Sequence, residues 1–224
     1  MTLALFDFDG TLTHQDTFTA FCRQQIPLTR RLPGLLLLAP LLLAHRYHLF
    51  PTHRLRPTVA WLGFAGYRHD LARQRGERFA RDYLPSALRQ DAMQRLRWHQ
   101  QRGDRIILVS ASLDLYLKPW CQQQGIELLC SELLPQDPHQ SRLSGRYRNG
   151  DCSNQRKRQR VERLLDLTAH KAIYAYGDTA EDLALLSLAS HPHYRGKAIS
   201  SLDALTRGIG IHRSVHTDDA PADQ

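Results

Sequence analysis

The sequence predicts an α/β protein: a Rossmann-like parallel sheet flanked by helices, with a helical cap inserted after the first strand. Three observations predict it. Short apolar runs of strand length recur at Leu3–Phe8, Arg105–Ser110, Ile126–Ser131 and Ala172–Gly177. Helical segments separate the last three, which is the alternation of a parallel sheet. From Asp16 to about Leu84 no strand pattern occurs, only helical or apolar stretches broken by Pro27, Pro33, Pro40, Pro51, Pro57, Gly63 and Gly66. The expected division is a core of residues 1–13 and 85–212, a cap of residues 14–84 and a polar, disordered tail at 213–224.

The first stretch, LALFDFDGTLT at Leu3–Thr13, reads as a buried strand delivered to a turn at Gly10. Residues two apart leave a strand on the same side, so Asp7 and Asp9 are expected to converge at its end. Two adjacent carboxylates repel unless a cation or a proton relieves them. The alternative use of the pair is as turn formers before Gly10.

Asp16 with Thr17 marks a helix N-terminus leading into Phe18, Phe21 and Cys22. The run LPGLLLLAPLLLA, Leu32–Ala44, is thirteen residues long, short of the roughly twenty that a spanning helix needs. Wound as a helix it is apolar all round. Arg30 and Arg31 precede it, and His45, Arg46, His48, Arg54 and Arg56 follow. Contact with an anionic membrane surface fits this pattern first, a buried cap or homo-oligomer interface second, and a re-entrant or spanning segment third.

Beyond Pro85, Ala87, Leu88, Ala92, Leu96 and Trp98 predict one helix ending at Gly103. After the strand at Arg105–Ser110, Ser112–Gln124 reads as a helix closed by Gly125. Ser141–Cys152 reads as a hairpin turning at Asn149-Gly150, followed by a basic helix Gln155–Asp166. The last helix opens at Thr179 after the strand Ala172–Gly177.

At 224 residues, 42% of them hydrophobic and 23% charged, with a mean hydropathy of −0.45, the chain has room for one core and a smaller subdomain. No basic segment followed by an apolar one opens the sequence, so the expected location is cytoplasmic, with peripheral contact at the inner face of the membrane. Cys22, Cys121, Cys130 and Cys152 form no CxxC pair and the histidines show no ligand spacing, which argues against structural zinc and a disulfide framework. The net charge of +8 suggests anionic partners. Its arginines are spread along the chain with no nucleic-acid-binding motif, so nucleic acid ranks below anionic substrates and lipids.

In an open parallel sheet the site lies outside the carboxyl ends of the strands. The first strand brings Asp7 and Asp9 there. The second brings Ser110, Ala111 and Ser112, read as the start of a helix, where a hydroxyl and backbone N–H groups hold a phosphate oxygen. The third brings Asp178, with Asp182 four residues on and on the same helix face, suited to a magnesium ion directly or through water. Lysine is scarce, and Lys157 follows the hairpin where Lys118 and Lys171 do not.

On these residues the chain resembles the haloacid dehalogenase-like hydrolases with a helical cap after the first motif, phosphoserine phosphatase-like and phosphatidylglycerophosphatase C-like. DFDGTLT matches the first motif, VSAS the second, Lys157 the third and YGDTAED the fourth. The resemblance implies a phosphomonoester substrate, Mg2+ as cofactor and a covalent aspartyl-phosphate. It casts Asp7 as nucleophile and Asp9 as general acid and base. The metal would be held by Asp7, the Asp9 carbonyl and Asp178, with Asp182 beside it, and the phosphate by Ser110, the Ala111 N–H and Lys157. Thr13, His14 and Asp16, at the mouth of the cap, are the candidates for substrate selection, and Asp16 equally suits a helix N-cap. The chain departs from phosphoserine phosphatases in carrying Glu181 in place of asparagine and Ala111-Ser112 in place of a glycine pair. A reading of another class is a non-catalytic, membrane-associated binding module on the same scaffold.

Overall fold

The computed structural model describes residues 1–47, 52–136, 139 and 141–200. The tail expected at 213–224 lies outside the described residues. The chain runs β1 (Thr2–Phe6), α1 (Thr17–Gln25), α2 (Leu28–Arg46), α3 (Thr52–Phe64), α4 (His69–Asp82), α5 (Leu84–Ala87), α6 (Gln90–Gln101), β2 (Arg105–Leu113) and α7 (Asp114–Gln124). It continues through β3 (Glu127–Ser131), β4 (Leu133–Pro135), β5 (Leu143–Tyr147), α8 (Gln155–Leu164), β6 (Ala172–Gly177), α9 (Leu183–Leu186), β7 (His191–Tyr194) and β8 (Lys197–Ala198).

Six strands form one sheet in the order β3-β2-β1-β6-β7-β8, parallel except for β8. The Rossmann-like α/β arrangement expected from the alternating runs is therefore the observed one. β1 sits between β2 and β6, with Leu5 opposite Ile107 on one side and Ala175 on the other. Both faces of β1 are covered, which is why its sequence is an unbroken apolar run. One face joins Leu3, Leu5, Ile107 and Val109 to Val161 and Leu185, and the other joins Phe6, Phe8 and Leu108 to Trp120 and Tyr116.

Between β1 and β2 the described residues hold helices and two isolated bridges, Thr13 with Leu88 and Arg68 with Arg142. Helix α4 is seated tightly on the core: a Cβ added at Gly76 would lie 2.1 Å from the Leu115 carbonyl oxygen. Phe21 and Phe79 meet at the Tyr116 ring and Phe64 stacks on Phe21, joining the inserted helices to α7. Among the described residues no helix is long and apolar enough to cross a membrane. The run Leu32–Ala44 is part of a single helix that continues through Pro33 and Pro40.

Three local expectations are corrected. The helix expected from Ala87 to Trp98 is two helices, because Leu88 is extended and pairs with Thr13. The hairpin within Ser141–Cys152 is instead formed by β5 with the upstream β4, and Asn149-Gly150 lies in the loop after it. Here Pro135 and Leu143 face each other across the turn, leaving the downstream signal to do other work. Finally, Ser110–Ser112 continue strand β2 rather than opening a helix, with the pairing register to β3 shifting between Ser110 and Leu113. That shift takes Ala111 and Ser112 out of the regular ladder at the end of the sheet.

Candidate active site

The carboxyl ends of β1, β2 and β6 bring the predicted residues together. Asp7 follows β1 directly, its N–H donating to the Tyr176 carbonyl at 3.0 Å. The residue is 5% exposed and its Oδ1 accepts from Lys157 Nζ at 2.5 Å. Lys157 reaches it from the first turn of α8, where it and Val161 form the buried stripe of an otherwise basic helix. The same ammonium donates to Asp182 Oδ1 at 2.6 Å. One oxygen from each of Asp7, Asp178 and Asp182 lies within 4.8 Å of the others.

The two carboxylates that share Lys157 are not equivalent. Burial works against the charge of both. Asp182 has further support, since its Oδ2 accepts from the Asp178 N–H, the Thr179 N–H and the Thr179 hydroxyl at 3.0–3.1 Å. Lys157 and these donors hold it below the ordinary carboxylate range. Asp7 lacks such donors, and burial followed by the Asp182 charge pushes its carboxyl well up. Burial favours a neutral Lys157, but Asp182 and Asp7 more than reverse this and keep the ammonium charged. Asp178 is raised to about 6 by burial and then by Asp182, with the Thr11 hydroxyl donating to it at 3.3 Å. Asp178 thus keeps lone pairs open to a cation, whereas both oxygens of Asp182 are engaged. The expectation that the two acids share one helix face is corrected: Asp178 precedes a short 3-10 turn, and Asp182 folds back onto the turn's own backbone.

Asp9 faces away from that triad. Its Oδ1 accepts from the Thr17 N–H at 2.6 Å and the Thr17 hydroxyl at 2.5 Å, and its Oδ2 from the Ser112 hydroxyl at 2.5 Å. The Tyr116 hydroxyl stands 2.9 Å from that of Thr17. Burial, then the nearby Asp16 charge, raises the Asp9 carboxyl despite these donors. The Asp9 side chain is therefore not a member of the acidic triad, which leaves the expectation of a metal on the Asp9 backbone carbonyl untouched. Ser110 is buried, its hydroxyl accepting from the Ser112 N–H at 3.1 Å, and Ala111 lies beside it at the register shift.

At the mouth of the inserted helices, Thr13 is buried in a turn with its hydroxyl against the Phe8 and Gln15 carbonyls, while His14 is exposed. Asp16 is the N-cap of α1, accepting from the Phe18 and Thr19 N–H groups and the Thr19 hydroxyl. Glu181 turns from the triad to Arg56 of α3, 2.9 Å away. Sequence reasoning missed three contacts: Thr17 and Ser112 on Asp9, and Arg56 on Glu181. Ser112 and Glu181 were visible as departures from the family pattern, but their partners lie far along the chain.

This geometry has counterparts. Protein CicA of Caulobacter vibrioides is 32% identical over 198 residues, covering 86% of this chain and 85% of that protein. A structure of a Bordetella pertussis Tohama I protein of unknown function shares the fold at a TM-score of 0.70 and 20% identity, over 93% of this chain and 96% of the other. A substrate-bound phosphoserine phosphatase complex shares it at a TM-score of 0.60 and 15% identity, over 86% and 84% of the two chains. Residues 4–187 match the family profile described as haloacid dehalogenase-like hydrolase. With that match spanning most of its length, the chain belongs to the haloacid dehalogenase-like hydrolases.

Proposed function

We propose that this protein is a magnesium-dependent phosphomonoesterase that works through an aspartyl-phosphate, with residues 14–84 as a cap over the site. The observation that carries this reading is the convergence of Asp7, Asp178, Asp182 and Lys157 at the end of the central strand, with Asp9 held separately two residues on. An all-oxygen, largely buried acidic set suits a hard divalent cation. Asp7 and Asp178 would hold it with Asp182 adding charge, and when bound it would offset phosphate charge and orient the ester.

The remaining steps belong to the chain's own side chains. Asp7 attacks phosphorus, forming its bond to the phosphoryl group as the ester bond breaks. Asp9, whose raised carboxyl suits it to carry a proton, gives that proton to the departing alkoxide. It then takes a proton from the water that hydrolyses the aspartyl-phosphate. Lys157, the Ser110 hydroxyl and the Ala111 N–H hold the phosphoryl oxygens, where developing charge needs fixed donors.

For the substrate, a lipid head-group phosphomonoester ranks above phosphoserine. Asp16 spends both carboxylate oxygens on its own helix, which leaves it poorly placed to receive an amino group. Leu28, Leu32, Leu36 and Leu43 are exposed along one stripe of α2, and Leu36 is 80% exposed. They suit shallow contact with a membrane surface. Turnover of a generic aryl phosphate with magnesium, abolished in Asp7→Asn, is the expected result. Retained turnover in a folded Asp7→Asn protein refutes the covalent mechanism. Phosphoserine and phosphatidylglycerophosphate, compared with and without anionic vesicles, rank the substrates.

A further inference from the structure

A cavity of about 610 Å3 lies between α1, α2 and α3, within the roughly 300–1,000 Å3 range of pockets that enclose small ligands. We propose that it receives the hydrocarbon part of the leaving alcohol, which makes the substrates amphiphilic phosphomonoesters with an aliphatic chain. This rests on the phosphatase reading, in which Asp9 protonates the departing oxygen, so that the alcohol must extend on the Asp9 side.

That side is where the cavity begins. Thr17, the first residue of α1, donates twice to Asp9, and the residues flanking it, Asp16 and Phe18, line the cavity. The wall beyond is largely apolar: Ile26, Leu38, Leu55, Val59 and Leu62. A short polar alcohol gains nothing from such a wall and loses water to it. An aliphatic chain gains from every methylene it removes from water. Arg23, Arg30, Arg31 and Arg56 are also part of the lining, polar groups suited to the boundary of an amphiphile.

The test is a series of n-alkyl phosphates from ethyl to decyl, below their micellar concentrations. Binding to the full chain is read by calorimetry with divalent cations chelated, so that it does not depend on turnover. Affinity is expected to rise about threefold to fourfold per methylene over the part of the series that the cavity accommodates. Gly34 lines the cavity, and a Cβ added there meets no heavy atom within 4 Å. A side chain can therefore start from position 34 without a clash at Cβ, and Gly34→Phe should flatten the series, as should Val59→Trp. Affinity independent of length overturns the proposal. So does a length dependence that survives both substitutions, which would put the chain elsewhere, such as on the exposed stripe of α2. Aryl phosphate turnover by the same preparation, with magnesium in place of the chelator, separates the two claims. A flat series with turnover overturns the cavity alone, and absence of turnover overturns the phosphatase reading beneath it.

Discussion

Lys157 is the cation at the centre of the acidic cluster, and replacing it with methionine, similar in length and uncharged, tests the electrostatics without reference to catalysis. Its ammonium lies 2.5 Å from Asp7 and 2.6 Å from Asp182. Without it the two carboxylates cannot both stay ionised, and one must carry a proton in the folded state. Holding a proton at about pH 7.5 on a group whose ordinary value is 3.8 costs at most about 5 kcal/mol, at 1.36 kcal/mol per unit. Breaking one side of a buried ion pair costs about 3–5 kcal/mol by a separate route. The expected loss is therefore about 3–5 kcal/mol near neutrality. The sign with pH follows. The variant's folded state binds a proton that its unfolded state releases, so its deficit shrinks by about 1.36 kcal/mol per unit as pH falls toward the unfolded value. Urea denaturation at several pH values, with chelator and with magnesium, reads all of this. Magnesium should restore part of the loss, since a ligand at about 100 times its Kd adds about 2.7 kcal/mol. A deficit below about 1 kcal/mol near neutrality, or one that grows on acidification, refutes the reasoning.

Three further predictions concern other parts of the molecule. Ser112→Ala removes a donor that lowers the Asp9 carboxyl, so the limb of the kcat/KM profile governed by Asp9 should move up by about one pH unit; an unmoved limb counts against Asp9 as the acid. Asp114 is raised to about 6 by burial, so it costs stability as pH rises from 3.8 to 6. Asp114→Asn, which keeps an acceptor for the Leu133 N–H, should gain up to about 3 kcal/mol at about pH 8 and little near pH 4, read by thermal denaturation. Gly76→Ala sets a methyl group against the Leu115 backbone and should cost at least about 2 kcal/mol, read by urea denaturation, although alanine is the better helix former.

The sheet was legible because its strands are covered on both faces and announce themselves as continuous apolar runs between helical segments. Asp7, Lys157 and Asp178 were legible because strand ends fix where such groups go, and because a lone lysine after a hairpin stands out in a chain rich in arginine. The short partner strand Leu133–Pro135 was not, since three residues carry no periodicity. Strand β2 running on through Ser112 was also hidden, because hydroxyl residues at a strand end look like a helix start until pairing with Ser131 beyond the register shift is known. The orientation of Asp9 was missed for a related reason. Period-two alternation assumes that the strand persists, but β1 ends at Phe6, and Asp9 takes the direction set by Thr17 and Ser112.

That direction ties the inserted helices to the chemistry. Of the three donors on Asp9, two come from Thr17 at the start of α1 and one from Ser112 at the end of β2. A shift of α1 by even an ångström would lengthen two of these bonds together and leave the Asp9 carboxyl, already raised by burial, with fewer groups to oppose the rise. The Arg56–Glu181 pair joins the same two parts, α3 to the turn that follows Asp178 and carries Asp182. Asp9 and the turn beside the acidic triad are thus each tied to the inserted helices, the first through Thr17 and the second through Arg56. Anything that seats α1 and α3, including a ligand in the cavity between them, acts on both.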